Sequence, residues 1–313
     1  MKPRILVVGT GAIGGFYGGT LAQAGARVAT LCRSDYETVK SSGIKVTSTL
    51  GDFHLTPEKV IRDLNEYSPP PDYLLVALKV LPEIDTAEII KEVVGPETAI
   101  ILLQNGVEIE EPLVKAFPNN EIISGLAFIC VTRSDPGHID HIDFGRLVIG
   151  HFPAGKSDKT DQLANLFNDS GVPCTVSEDV VTDRWRKLVW NAPFNPISVL
   201  AGGADTKTMV ENPESLELAR QVMEEVCKVA EAVGHPLPAG VVQENIEGTR
   251  RMSPYKSSML VDFEAGRPME VEAILGKAIR VAKRHDVAVP HMESLYGLLK
   301  LVDKKIREQK TQP

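Results

Sequence analysis

Short apolar runs alternate with segments of helical period through the first half of the chain. Ile5–Val8, Val28–Cys32, Leu74–Leu78, Ile100–Leu103 and Ile122–Ala127 read as buried strands, and Ile13–Ala24, Ala87–Val94 and Glu108–Phe117 as helices set among them. Strand, helix, strand in succession requires right-handed crossovers and predicts a parallel sheet covered on both faces. Ile139–Ile149 predicts a closing pair of strands, and Ser68-Pro69-Pro70-Pro71 a rigid loop ahead of a strand.

After about residue 177 the period changes to 3.6 throughout. Ser177 is an expected N-cap, followed by the first-turn acids Glu178 and Asp179. Asn212-Pro213-Glu214 opens another helix, with proline at the first turn where its missing N–H is harmless, and Gly234 stops it. Further helices are expected over 239–251, 268–285 and 291–307, and the tail Lys304–Pro313 is expected to fray. The domains predicted are thus 1–176, α/β, and 177–313, all-helical.

Composition narrows the class. Of 313 residues, 43% are hydrophobic and 24% charged, which suits two packed domains. A net charge of −8 argues against a nucleic-acid surface. No apolar stretch is long enough to span a membrane, and Ile5–Val8 is too short for a secretory leader. Cys32, Cys130, Cys174 and Cys227 are widely spaced, which points to reduced thiols and a cytoplasmic setting. His138 and His141 lie on a strand-like segment that would turn them to opposite faces, so no metal site is expected.

Gly9-Thr10-Gly11-Ala12-Ile13-Gly14 is G-x-G-x-x-G, placed after a strand and at the start of a helix, the context that a dinucleotide fingerprint requires. Gly9 suits the tight turn, Gly11 a close approach of backbone to pyrophosphate, and Gly14 close helix packing, while the helix N-terminus, with Ala12 and Ile13, offers N–H donors. The fold expected is therefore a Rossmann-type doubly wound sheet followed by an all-helical C-terminal domain. The second strand ends in Arg33-Ser34, where a cofactor 2′-phosphate would be read, so NADPH/NADP+ is the expected cofactor; Asp35, if turned inward, would favour NAD. Lys79 and Asn105 follow the third and fourth strands and fall on the cofactor edge of such a sheet. Either could instead only cap a turn.

The second half carries an unusual polar stripe. Lys187, Asn191 and Asn195 stand four apart within Trp185–Asn195 and share one helix face. A lysine and a carboxamide so placed can protonate and orient a carbonyl; the plain alternative is a solvated amphipathic helix. Ser258, in Ser257-Ser258-Met259-Leu260, and Glu270, after Pro268, are the other candidates, Glu270 being equally readable as a first-turn acid.

Together these pieces resemble the ketopantoate reductase (2-dehydropantoate 2-reductase) family over nearly the whole chain: the glycine motif at 9–14, Leu78-Lys79, Gln104-Asn105-Gly106, the block 185–196, Ser257–Leu260 and Glu270. The resemblance implies NADPH-dependent reduction of 2-dehydropantoate to pantoate, on the route to pantothenate and coenzyme A. It implies Lys187 as general acid and Glu270 as ligand of the substrate hydroxyl. Asn105, Asn191, Asn195 and Ser258 would orient the substrate, and Gly9, Gly11, Ala12, Ile13, Gly14, Arg33, Lys79 and Asn105 would hold the cofactor. The partner implied is a small 2-keto acid, with a monomer or homodimer as the assembly. Lys187 must then be partly desolvated to give up its proton near neutral pH.

Three features depart from the pattern. Pro193 lies inside the Lys187–Asn195 helix and is expected to kink it, Tyr255 replaces a small polar residue, and Ser198 stands where threonine is common. The alternatives are a related NADP-dependent 2-keto-acid or 3-hydroxyacid oxidoreductase, or a non-catalytic NADP-binding sensor, which would not need Lys187 and Asn191 at helical spacing.

Overall fold

The computed structural model describes residues 2–311. The chain forms two compact units. One comprises the residues up to Lys79, Ile84–Gln104 and Ile109–Val180; the other comprises Val80–Glu83, Asn105–Glu108 and the chain from Val181 onward.

The first unit is a mixed sheet of β1 (Arg4–Val8), β2 (Arg27–Leu31), β3 (Ile44–Ser48), β4 (Phe53–Leu55), β5 (Lys59–Ile61), β6 (Tyr73–Val76), β7 (Ala99–Leu102), β8 (Ile122–Asp135), β9 (His138–His151) and β10 (Cys174–Val176). Helices α1 (Ala12–Gln23), α2 (Tyr36–Ser42), α3 (Thr86–Ile90), α4 (Glu111–Ala116) and α5 (Asp158–Asp169) connect them. Strands β5, β2, β1, β6, β7 and β8 lie side by side in that order, and every neighbouring pair among them is parallel. The order reverses between β1 and β6, the switch point at which doubly wound sheets bind ligands beyond their carboxyl ends. The chain pattern identified five of these parallel strands, and their all-buried residues explain why: Ile5–Val8, Leu74–Val76 and Ala99–Leu102 have no water-facing side.

The sheet then continues into a mixed extension, with β8–β9 and β3–β4 antiparallel and β3–β9 parallel, that periodicity did not reveal. β8 and β9 form one long ribbon, β3 pairs with β9, and β4 closes the edge. The expected strand pair within Ile139–Ile149 is instead the single strand β9 against β8. β3, β4, β5 and β10 are short and partly exposed, so their apolar pattern was too weak to read. The sheet curls around α1, which touches strands near both of its ends. Phe16, Tyr17 and Leu21 of this helix are buried, and Gly15 and Gly19 let Ile139 of β9 and Phe53 of β4 lie against its backbone. A helix enclosed on every side carries no polar stripe.

The second unit is helical: α6 (Val180–Leu200), α7 (Thr206–Glu211), α8 (Pro213–Ala232), α9 (Val241–Arg251), α10 (Ser258–Glu264), α11 (Lys277–Arg284) and α12 (Pro290–Thr311). A π-helical turn, Glu272–Gly276, precedes α11, where one continuous helix over 268–285 had been expected. Asn212 caps α8 through its side chain, accepting from the Ser215 N–H at 2.8 Å, and Gly234 ends that helix at φ +84°. α6 runs without interruption through Pro193 and Pro196, so the expected kink does not break the helix. Its buried neighbours Ala192, Phe194 and Ile197 fix it within a core shared with Val222, Val226 and Leu275. The tail does not fray where expected: Lys304–Thr311 continues α12, anchored by Ile306 in the core and by Arg307 on Asp303 and Glu83. Gln312 and Pro313 lie outside the described residues.

His138 and His141 have separate partners. His138 bonds Thr47 and Asp140, whereas His141 is buried against Phe16, with Nδ1 at 2.8 Å from Ser48 Oγ and Nε2 at 3.0 Å from the Asp143 carbonyl. Burial lowers the His141 pKa below the ordinary imidazole value, against an opposing pull from backbone bonds at Asp143 and Phe144. Its neutral form is therefore preferred on folding. That contribution is complete above about pH 6.5 and is lost as pH falls below this unfolded-state value. Urea unfolding at pH 7.5 and 5.5 should show stability dropping in the wild type, with a smaller drop in His141→Gln; equal drops would remove His141 as the cause.

Candidate active site

On the first unit, the glycine turn joins β1 to α1. Gly9 adopts φ +96°, and a Cβ there would lie 2.7 Å from the Ala77 backbone. A Cβ on Gly14 would lie 2.3 Å from the Gly9 carbonyl, so the turn closes only with glycine. Gly11 differs: a side chain there would meet nothing within 4 Å, leaving open space over the start of α1. No side chain caps this helix and no acid occupies its first turn. Uncapped N–H groups beside open space, with Ala12 and Ile13 in the first turn, suit a phosphate. Thr10 ties the turn to the end of β2 through a 2.9 Å bond to the Leu31 carbonyl.

The β2 end presents Arg33 to solvent. Asp35 is buried, but both of its oxygens lie 2.7 Å from Arg133 Nη1, and Ser34 Oγ donates to it at 2.6 Å. Lys79 is half-buried just past β6. Gln104 Nε2 donates to the Leu78 carbonyl at 2.7 Å and so ties the ends of β6 and β7 together.

The second unit gathers the other candidates. Lys187 Nζ, half-buried on α6, donates to Asn105 Oδ1 at 2.9 Å. Asn191 and Asn195 follow on the same helix face and are buried, at 8% and 2% exposure. The Asn195 Oδ1 atom is buried and has no hydrogen-bond partner among the described residues. A cleft beside it is lined by Asn195, Ser258, Met259, Asp262, Glu270 and Ile274. Glu270 lies in the loop just before the π-helical turn, and its Oε1 accepts the Val80 N–H at 2.8 Å. Ser198 Oγ bonds both the Asn195 carbonyl and Ser257 Oγ at 2.8 Å, and Ser257 caps α10, which sets Ser258 at the helix start. Ser258 and Asn195 are thereby fixed relative to one another.

Sequence reasoning missed several parts of this site. Asp262 lines the cleft and pairs with Arg267; it stands four residues after Ser258, a helical spacing that could have found it. The Val80 amide has no side-chain signal at all. Tyr255 packs its ring 6.5 Å from Trp190 and its backbone pairs with Thr206; it is not among the residues lining the cleft.

Carboxylate Glu272 shows how firmly this region is anchored. Burial pushes its pKa up, but Lys300, Arg280 and Tyr296 bond it and hold it down at about 2. It stays ionised at every ordinary pH, and the π-helical turn that carries Ala273 stays tethered to α11 and α12.

A phosphate-ready glycine turn on one unit, and a lysine, carboxamides and a carboxylate gathered on a helical unit, define the parts of an oxidoreductase. Comparison with known proteins agrees. Residues 5–154 match the family model "Ketopantoate reductase PanE/ApbA", and residues 179–303 match "Ketopantoate reductase PanE/ApbA C terminal". A curated 2-dehydropantoate 2-reductase of Nostoc sp. is 35% identical over 97% of this chain and 96% of its own length. The crystal structure of 2-dehydropantoate 2-reductase from Methylococcus capsulatus is 48% identical, with a TM-score of 0.91 over 97% of both chains. That from Geobacter metallireducens is 37% identical, with a TM-score of 0.90 over 95% of this chain and 99% of its own. The chain belongs to the ketopantoate reductase family. No helix among the described residues is long and apolar enough to cross a membrane.

The Asn105 turn depends on Gly106, at φ +107°, where a Cβ would lie 2.7 Å from the Ala273 carbonyl. Gly106→Ala should destabilise the protein by about 1–3 kcal/mol, from the strained φ alone. Urea unfolding checks this, and an unchanged midpoint would show that the turn is not constrained.

Proposed function

We propose that the protein reduces 2-dehydropantoate to pantoate with NADPH, on the route to pantothenate and coenzyme A. The observation that carries this reading is the Lys187–Asn105 hydrogen bond, made on the same helical unit as the cleft that Glu270 and Ser258 line. Family membership supports it, as do relatives described as 2-dehydropantoate 2-reductases.

Bound NADPH supplies the hydride for the ketone carbon. Lys187 holds a proton on Nζ and delivers it to the keto oxygen, and its positive charge steadies the alkoxide as charge builds there. Asn105 fixes the direction of the ammonium. Asn191 extends the same polar face, and Asn195 offers a buried acceptor that a ligand donor would satisfy. Ser258 donates to the acid. Glu270, steadied by the Val80 amide, accepts the substrate hydroxyl. An acid lacking that hydroxyl would forgo this hydrogen bond, which penalises such substrates.

Gly9, Gly11, Ala12, Ile13 and Gly14 would hold the pyrophosphate, and Lys79 and Asn105 would also serve as cofactor ligands. Arg33 reads the 2′-phosphate. The Asp35–Arg133 pair supports NADPH over NADH, because the carboxylate that would bind a ribose hydroxyl is already engaged. None of the four cysteines forms a disulfide, which fits a cytoplasmic enzyme, and the assembly we expect is a monomer or homodimer.

Loss of NADPH absorbance on adding 2-dehydropantoate tests the reading, with NADH and 2-ketoisovalerate as comparisons. Turnover should favour NADPH, and should favour the hydroxylated acid by roughly 10²-fold or more. Preference for 2-ketoisovalerate would mark a reductase of simpler 2-keto acids; NADPH binding with no turnover of any keto acid would mark a sensor. Lys187→Ala should lower kcat by roughly 10²–10⁴-fold, and a near-normal kcat would remove it as the acid. Arg33→Ala should raise KM for NADPH and leave NADH nearly unchanged; equal losses with both cofactors would show that Arg33 does not read the 2′-phosphate.

A further inference from the structure

The segment Asn105–Glu108 is gripped by cations along its length. Lys187 meets the Asn105 side chain, Arg184 Nη1 donates to the Gly106 carbonyl at 3.1 Å, Lys277 Nζ donates to the Glu108 carbonyl at 2.7 Å, and Arg284 pairs with the Glu108 carboxylate. Arg184 is the buried member, only 3% exposed. It sits three residues before Lys187, so both side chains leave the same face of α6, one turn apart. Desolvating a guanidinium is expensive. A carbonyl oxygen at the end of a fixed fork gives it a directed role, and the proposed mechanism does not otherwise use it.

Gly106 is constrained on its other side as well. Its Cα lies so close to the Ala273 carbonyl that no side chain fits, while its own carbonyl is held by Arg184. The peptide following Asn105 therefore has little freedom, and the Asn105 carboxamide is aimed by that peptide. We propose that Arg184 is a positioning residue for proton transfer: it pins the Asn105–Gly106 turn so that Asn105 Oδ1 meets and directs Lys187 Nζ. The kinetic consequence rests on the 2-keto-acid reductase reading, whereas the pinning itself does not. A displacement of about 1 Å at a reacting group costs roughly 10²-fold in rate.

The test uses Arg184→Gln and Arg184→Lys in the full chain, each with and without Asn105→Ala. Arg184→Gln should lower kcat by roughly 10- to 10²-fold. Arg184→Lys keeps a donor for the Gly106 carbonyl and should recover much of that loss. In the Asn105→Ala background either change should alter kcat by less than about twofold, because Arg184 acts through Asn105. Hydrogen exchange of the 105–108 amides, measured without substrate, should speed up in Arg184→Gln while exchange in β1 and α8 stays unchanged.

An unchanged kcat in Arg184→Gln, independent effects of the two sites on kcat, or unchanged exchange at 105–108 would each overturn the proposal. Should Arg184→Gln fail to fold, Arg184→Met, which also removes the donor, carries the same cycle and exchange measurement. Should the wild type reduce no keto acid, the proposed function falls, and the exchange result alone still decides whether Arg184 pins the turn.

Discussion

The hydrogen bond from Lys187 Nζ to Asn105 Oδ1 joins two residues 82 positions apart. Much of the local structure meets the conditions for it. Asn105 must open the segment Asn105–Glu108, which packs as part of the helical unit. Gly106 must then turn at positive φ under Ala273. α6 must remain one helix through Pro193 and Pro196, so that Asn191 and Asn195 keep register with Lys187. Prolines in a helix interior cost hydrogen bonds. Here a buried helix pays that cost and keeps its polar face in place through core packing on either side of it.

The two units offer chemistry of different kinds. The first offers backbone: an uncapped helix start, glycines that admit close approach, and strand ends at a switch point. The second offers side chains, each fixed by a partner of its own. Glu270 has the Val80 amide, Asn195 and Ser258 share the Ser198–Ser257 bridge, and the Asn105 turn has its four cations. A chain of net charge −8 thus gathers four cations on the segment Asn105–Glu108.

Parts with a strong one-dimensional signal were legible in the sequence. Fully buried parallel strands appear as apolar runs, the glycine turn appears as spacing, and Lys187 and Asn191 appear as a helical stripe. Parts without one were not. β3, β4 and β10 are short and half exposed, and β9 lengthens into a ribbon whose outward residues break its pattern. The tail reads as polar although Ile306 and Arg307 anchor it in α12. Val80–Glu83 and Asn105–Glu108 follow strands of the first unit but pack with the second, which no local pattern announces. Arg184 carried no signal of its own, because its partner is a carbonyl 78 residues away.

The most direct test of a site organised around Lys187 and Asn105 is a crystal structure of the protein with NADP+ and pantoate bound. The pantoate C2 oxygen should lie within hydrogen-bond distance of Lys187 Nζ, its terminal hydroxyl on the Glu270 carboxylate, and Asn105 should still be bonded to Lys187. Pantoate bound with its C2 oxygen away from Lys187, or with Glu270 turned from the hydroxyl, would contradict this arrangement.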